Sequence, residues 1–214
     1  MEFHRIDRTS WNRNEHFEHY LHTIPCTYSM TVQLDVTRLL EAVKGKNKSF
    51  QAALLYGVAH VINRHKELRM SLDEQGEPGY FDVVHPSYTV FHAETETFSN
   101  LWTEYSDDFE IFHAAYLRDL SEYGSDTAFV CKTPVPNLFN FSSLPWVTFT
   151  EFHLSLAKGF GYLLPIITVG RYFKQQKKTL LPFAVQLHHA ACDGFHASRF
   201  VNELQQWISA FDCL

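Results

Sequence analysis

Residues 50 to 64 read FQAALLYGVAHVINR, and as a helix this stretch is apolar on most sides. Such a helix belongs deep in a core rather than on a wet face, so whatever surrounds it must cover it. A second constraint lies at the other end of the chain. Leu180 to His189 is rich in strand-forming apolar residues and leads straight into a helix, where from Ala197 the apolar residues fall at 197, 200, 201, 204, 207, 208 and 211. That spacing matches a 3.6-residue period with one buried stripe.

Between these two features the patterns alternate. Trp11 to Leu21 is compatible with a short helix, and Cys26 to Val36 (CTYSMTVQLDV) with a strand, followed by a helix for which Thr37 is the expected N-cap. RMSLD and YFDVV predict a hairpin around EQGEPG, where Gly76, Pro78 and Gly79 supply the turn. Tyr88 to Phe98 reads as one longer strand. Residues 108 to 122 place Phe109, Phe112, Tyr116 and Leu120 at helical spacing, and two further strands are expected at Val147 to Leu154 and Leu163 to Phe173. Strands with flanking helices of this kind predict an α/β two-layer sandwich with a mixed β-sheet. With 214 residues, no internal repeat and no low-complexity linker, residues 1–214 are expected to form a single domain.

Composition narrows the function. A net charge of −6 argues against nucleic acid as a partner, because a phosphate backbone demands clustered Lys and Arg. The one basic run, KQQKK from Lys174 to Lys178, reads as a solvated turn first and a contact for a ligand phosphate second. No apolar stretch approaches the roughly 20 residues that cross a bilayer, and MEFHRIDRTSW lacks the apolar core of a signal peptide. A cytoplasmic protein without membrane attachment is expected. Cys26, Cys131, Cys192 and Cys213 form no CxxC pair and should be free thiols. The 15% aromatic content suits an aromatic-lined pocket or large interface as well as it suits a Phe-rich core.

Thirteen histidines raise the question of a metal. His16, His19 and His22 recur every third residue, and Cys192 and His196 stand four apart. Neither set has the ligand number or closed spacing of a structural zinc site, so no metal is expected.

The segment with chemistry in it is QLHHAACDGFH, residues 186 to 196. Alternation along the strand puts Leu181, Phe183, Val185, Leu187 and His189 on one face and Pro182, Ala184, Gln186 and His188 on the other. A chelate from the two adjacent histidines is therefore disfavoured. An imidazole at the wall of an apolar site can stay neutral near pH 7, which a general base requires. Asp193 could hydrogen-bond His189 in the manner of a protease triad, or could pair with an arginine and brace the turn. Gly194 suits a turn that needs positive φ.

LPFAVQLHHAACDGFHASRFVNELQQW closely resembles the C-terminal signature of chloramphenicol acetyltransferases. The resemblance continues in order through SSLPWVTFTEF, YTVFHAETETF, HKELRM and WNRNEHFEHYLHTIPC, nearly the whole chain. It implies that His189 is the catalytic base and that Asp193 is held by Arg13, which demotes the triad. It implies that Ser142 is the serine that hydrogen-bonds the oxyanion, with Ser143 as the competing candidate. For the acceptor pocket it implies Tyr20, Cys26, Thr89, Phe98, Phe152, Leu154 and Thr168, with Tyr162 and Ile166 nearby. Trp146 and Tyr172 match positions that contact the coenzyme.

The implied reaction moves an acetyl group from acetyl-coenzyme A to the 3-hydroxyl of chloramphenicol, which inactivates the antibiotic. The implied assembly is a homotrimer with sites at the subunit interfaces. The chain departs from the family pattern at Asn14, at Ser87 and across Thr148, Thr150 and Glu151. Dihydrolipoamide acyltransferase cores and peptide-synthetase condensation domains carry a similar motif. Condensation domains are about twice this size, and the acyltransferase cores normally follow other domains.

Overall fold

The structure is a computed structural model that describes residues 2–155 and 161–212. In chain order it contains β1 (Phe3–Arg5), α1 (Asn14–Glu18), β2 (Thr27–Asp35), α2 (Thr37–Gly45), α3 (Phe50–Asn63), β3 (Met70–Leu72), β4 (Pro78–Phe81) and β5 (His85–His92). There follow β6 (Thr97–Trp102), α4 (Phe109–Tyr123), β7 (Leu138–Leu144), β8 (Ile166–Gly170), β9 (Phe173–Gln175), β10 (Lys178–His188) and α5 (Gly194–Ala210). The main sheet has the order β2-β10-β8-β7-β5-β6, with β9 paired to β10. It is mixed: β5 and β7 run parallel, as do β7 and β8, while the other pairings are antiparallel. The expected mixed α/β architecture is the one observed.

The helices explain why one face of this sheet is dry. Ser49 caps α3 by accepting from the Ala52 amide, and ten residues of α3 are buried, among them Leu54, Leu55, Val58 and Ile62. α3 packs against α2, α4 and α5, so its all-round apolar surface is covered as its sequence requires. Gly57 permits the close approach of α5, since a Cβ there would lie 2.3 Å from the Trp207 ring. Phe183, Val185 and Leu187 of β10 point into the same core, which includes Phe200 and Leu204 of α5. Each such large side chain contributes about 1.5–3 kcal/mol on burial.

Several sequence-based boundaries are corrected. The expected strand Tyr88 to Phe98 is a hairpin, with β5 and β6 paired from Ser87↔Trp102 to His92↔Thr97. Its turn contains no Gly or Pro, and Glu96 takes the left-handed conformation (φ 54°), so nothing in the composition marks the reversal. Val147 to Leu154 is not a strand. Two of its amides reach side chains instead, from Phe152 to Thr31 Oγ1 (3.3 Å) and from Leu154 to Gln186 Oε1 (3.3 Å). Leu163 to Phe173 holds the short β8 and the start of β9. Thr37 is the first residue of α2, with Val36 at the cap position; its hydroxyl bonds Asp35 and accepts from the Thr179 amide. β1 and β7 lie outside the strands that the sequence predicts. β1 joins β4 and β3 in a separate three-stranded sheet.

Burial holds the pKa of His60, His85, His113 and His196 below the ordinary 6.5. The unfolded chain therefore binds more protons than the folded one as the medium acidifies. The stability these groups contribute is complete above about pH 6.5 and is lost as pH falls through their lowered folded-state values. Tm, read by circular dichroism, should therefore be level from pH 7.5 to about pH 6.5 and decline from there to pH 5. A profile that stays flat below about pH 6.5 would contradict this linkage.

Candidate active site

β10 ends at His188, and the two histidines part company there. His188 is buried, with Nδ1 accepting from the Ala190 amide at 3.1 Å. The His189 amide donates to the Cys26 carbonyl at 2.9 Å, tying the loop after β10 to the start of β2. The His189 ring is half-buried. It stacks on Tyr20 with centroids 3.8 Å apart and planes 6° apart, and meets Tyr28 edge-on at 5.3 Å. Two aromatic walls hold the imidazole in one orientation, and its Nδ1 is enclosed. Nε2 is the nitrogen left open to a partner.

Asp193 does not act on His189. Its carboxylate accepts from Arg13 Nη1 at 2.7 Å and from the Phe195 amide at 3.0 Å, and it forms the N-terminal capping box of α5 with His196. Burial opposes its ionisation, but the Arg13 bond and the His196 ring outweigh that and keep its pKa below the usual carboxylate range. Of the two arrangements left open by spacing, arginine pairing is the one present. It pins the N-terminal segment against the turn that carries His189.

Cys192, one residue earlier, is fully enclosed. Its thiol donates to the Glu67 carbonyl at 3.4 Å, and burial pushes its pKa up to about 12, so it is not a thiolate ligand. His196 is engaged with Asp193. His16, His19 and His22 stand exposed around α1 and the π-turn after it. Among the described residues, the three-residue group with mutually close ligand atoms is Glu2, His4 and Asp82, which belongs to neither histidine set. Cys26, Cys131 and Cys192 are free thiols, and Cys213 lies outside the described residues.

A cleft of about 530 Å³ lies on the sheet face opposite the helices. Alternation brings Ser87 and Thr89 of β5, Asn140 and Ser142 of β7, and Ile166 and Thr168 of β8 to its floor, beside Phe98 of β6. Phe152 and Leu154 come from the loop that crosses β2 and β10, and Tyr162 closes a side by donating to the Leu138 carbonyl (3.0 Å). Seven residues named by the resemblance for the acceptor pocket thus share one concavity with Ser142. Tyr20 and Cys26 do not line it. They accompany His189 at the β2–β10 end.

Register also separates the two serines. Ser142 pairs with Thr168 and opens into the cleft, whereas Ser143 pairs with Val169 and lines a groove on the other face. That groove, about 460 Å³, runs between the start of α3 (Phe50, Gln51, Leu54) and Gly170, Arg171 and Tyr172. It adjoins a smaller hollow lined by Phe91 and Trp146, with Gln51, Ser143 and Pro145 common to both. Trp146 and Tyr172 are exposed apolar surfaces on this side.

Sequence reasoning missed Asn140 and Phe129 at the cleft and Tyr28 beside His189; strand parity marks Asn140 and Tyr28, whereas Phe129, outside any strand, is marked only by its spatial neighbours. Asn14, a departure from the family pattern, accepts a bond from Arg8 Nε at 2.9 Å. Ser87, another, lies on the cleft floor.

The fold is one shared by acyltransferases. A solved chloramphenicol acetyltransferase superposes with TM-score 0.87 at 22% identity, covering 97% of this chain and 100% of that one. A dihydrolipoamide acetyltransferase from Azotobacter vinelandii gives TM-score 0.66 at 16% identity, covering 92% and 86%. The chloramphenicol acetyltransferase family model matches residues 1–205. A chloramphenicol acetyltransferase of Clostridium perfringens is 49% identical over 98% of this chain and its own whole length, and one of Escherichia coli is 46% identical over 94% and 92%. The chain belongs to the chloramphenicol acetyltransferase family and is an acyltransferase. Among the described residues no helix is long and apolar enough to cross a membrane.

Proposed function

We propose that residues 1–214 form one acetyltransferase domain that transfers acetyl from acetyl-coenzyme A to the 3-hydroxyl of chloramphenicol. The observation that carries this reading is the cleft in which Ser142 meets Phe98, Phe152 and Tyr162. An aromatic and apolar wall with few polar anchors suits a nitrophenyl ring and a dichloroacetyl group. His189 takes the hydroxyl proton on Nε2, and the oxygen attacks the thioester carbonyl carbon. Ser142 donates to the oxyanion. The C–S bond then breaks, and the leaving thiolate recovers the proton from His189.

The distal end of the donor rests on the helix side, in the groove flanked by Trp146 and Tyr172, and its thioester enters the shared site from the end opposite the acceptor. Proton transfer by an imidazole and stabilisation by a hydroxyl need no metal. Arg13 and Asp193 brace the loop that holds His189.

Within one chain, His189, Tyr20 and Cys26 stand apart from the cleft that holds Ser142. β2 is an edge strand, with one side of its ladder unpaired within the chain. Both features support a homotrimer in which His189 of one subunit faces the acceptor cleft of the next. The enzyme would work in the cytoplasm, where acetyl-coenzyme A is available, and there confer resistance to the drug.

A coupled assay of free thiol released from acetyl-coenzyme A tests donor and acceptor together. Release is expected only with chloramphenicol present, from a species of about three chain masses by light scattering. Efficient acetylation of dihydrolipoamide with chloramphenicol ignored would overturn the acceptor, and a fully active monomer would overturn the shared site.

A further inference from the structure

The wall of the acceptor cleft nearest β6 is supplied by a segment that no regular element holds. Phe129, 61% exposed, lines the cleft and meets Phe98 edge-on, with centroids 5.9 Å apart and planes at 64°. Within its own chain a side chain so exposed is not fixed by packing. Its position must come from the backbone on either side.

That backbone is stapled to β6. The Asn100 amide donates to the Phe129 carbonyl at 2.8 Å, Asn100 and Val130 form a parallel bridge, and Trp102 Nε1 donates to the Thr133 carbonyl at 2.9 Å. At the centre of the staple is Lys132. Its Nζ donates to Asp119 Oδ1 of α4 at 2.9 Å and to the Trp102 carbonyl at 3.1 Å, and sits 4.1 Å from the Trp102 ring centroid. The Asp119 side chain is 3% exposed and that of Lys132 19%. A charge pair with one partner buried is weak evidence for stability, but it is demanding about geometry, because Asp119 left alone is an uncompensated buried charge.

We propose that the Lys132–Asp119 pair is a positioning device for acceptor recognition: it clamps residues 129–133 to β6 and α4 so that Phe129 stands as a wall of the cleft. Neither charged residue touches the cleft. They act through Phe129, and the acceptor they serve is one with a ring or bulky apolar end to rest on it. The inference rests on the cleft being the acceptor site, as proposed above.

The test is a double-mutant cycle in acceptor KM. Phe129→Ala should raise KM for chloramphenicol about 3- to 10-fold, the worth of one aromatic edge contact, with kcat and the KM for acetyl-coenzyme A within two-fold. Lys132→Met should give a similar rise with the same split, and combining the two should add little beyond either, because they remove one interaction. Multiplying effects, or a fall in kcat with both KM values disturbed, would show a merely structural role and overturn the proposal.

If Lys132→Met does not fold, Asp119→Asn, which keeps the acceptor oxygen and removes the charge, takes its place in the cycle. Phe129→Ala alone is also decisive, since an exposed side chain can be trimmed without threatening the fold: an unchanged acceptor KM refutes the idea. Wild-type protein that fails to acetylate chloramphenicol at all would instead refute the assignment of the cleft.

Discussion

His189→Ala is expected to lower kcat by about 10²- to 10⁴-fold, the usual worth of a general base. The reason is local. The ring is held between Tyr20 and Tyr28 with Nδ1 enclosed, so Nε2 has no substitute in the same place. Folding should be nearly unaffected, because the half-buried ring contributes less packing than a core side chain.

His188→Ala should behave in the opposite way. Its side chain is 2% exposed and holds the Ala190 amide, so its loss leaves a cavity and an unmatched donor. The variant should melt at a lower temperature, while the protein that remains folded keeps most of its kcat. Measuring kcat and Tm on both variants separates the cases. Equal losses of kcat, with both proteins folded by circular dichroism, would show that the assignment of His189 as the base is wrong.

Ser142→Ala is expected to cost about 10²-fold in kcat, with KM for both substrates changed only a few-fold, because a donor to the oxyanion works mainly in the transition state. Ser143→Ala should be mild. The two hydroxyls are neighbours in sequence but open onto opposite faces of the sheet, Ser142 into the cleft beside Thr168 and Ser143 into the groove beside Arg171. A larger loss from the Ser143 variant, or a change confined to KM, would move the oxyanion role elsewhere.

Much of this site could be read from residues alone, because its parts are local. A strand of apolar alternation leading to His189 and the amphipathic helix after it depend on neighbours within a few positions. Those neighbours are visible in the chain. β7 escaped notice because LFNFSSL lies between prolines, and a short strand paired in parallel on both sides shows no hairpin signal. The reversal at residues 93–96 escaped for the converse reason: strand-like side chains continue on both sides of a turn that lacks Gly and Pro.

By itself the sequence determined the family, the buried character of α3 and the junction of β10 with α5. All of these follow from periodicities or from motifs whose meaning is carried along the chain. Only the tertiary structure decided that Asp193 spends its charge on Arg13, 180 residues away in sequence, rather than on His189. It likewise decided that Ser142 rather than Ser143 opens into the cleft, and that the half-buried Lys132 is paired with the buried Asp119 instead of lying in solvent. Pairings of this kind depend on register between strands and on which helix covers which edge. The long-range packing of the whole core sets both, and no window of neighbouring residues contains that information.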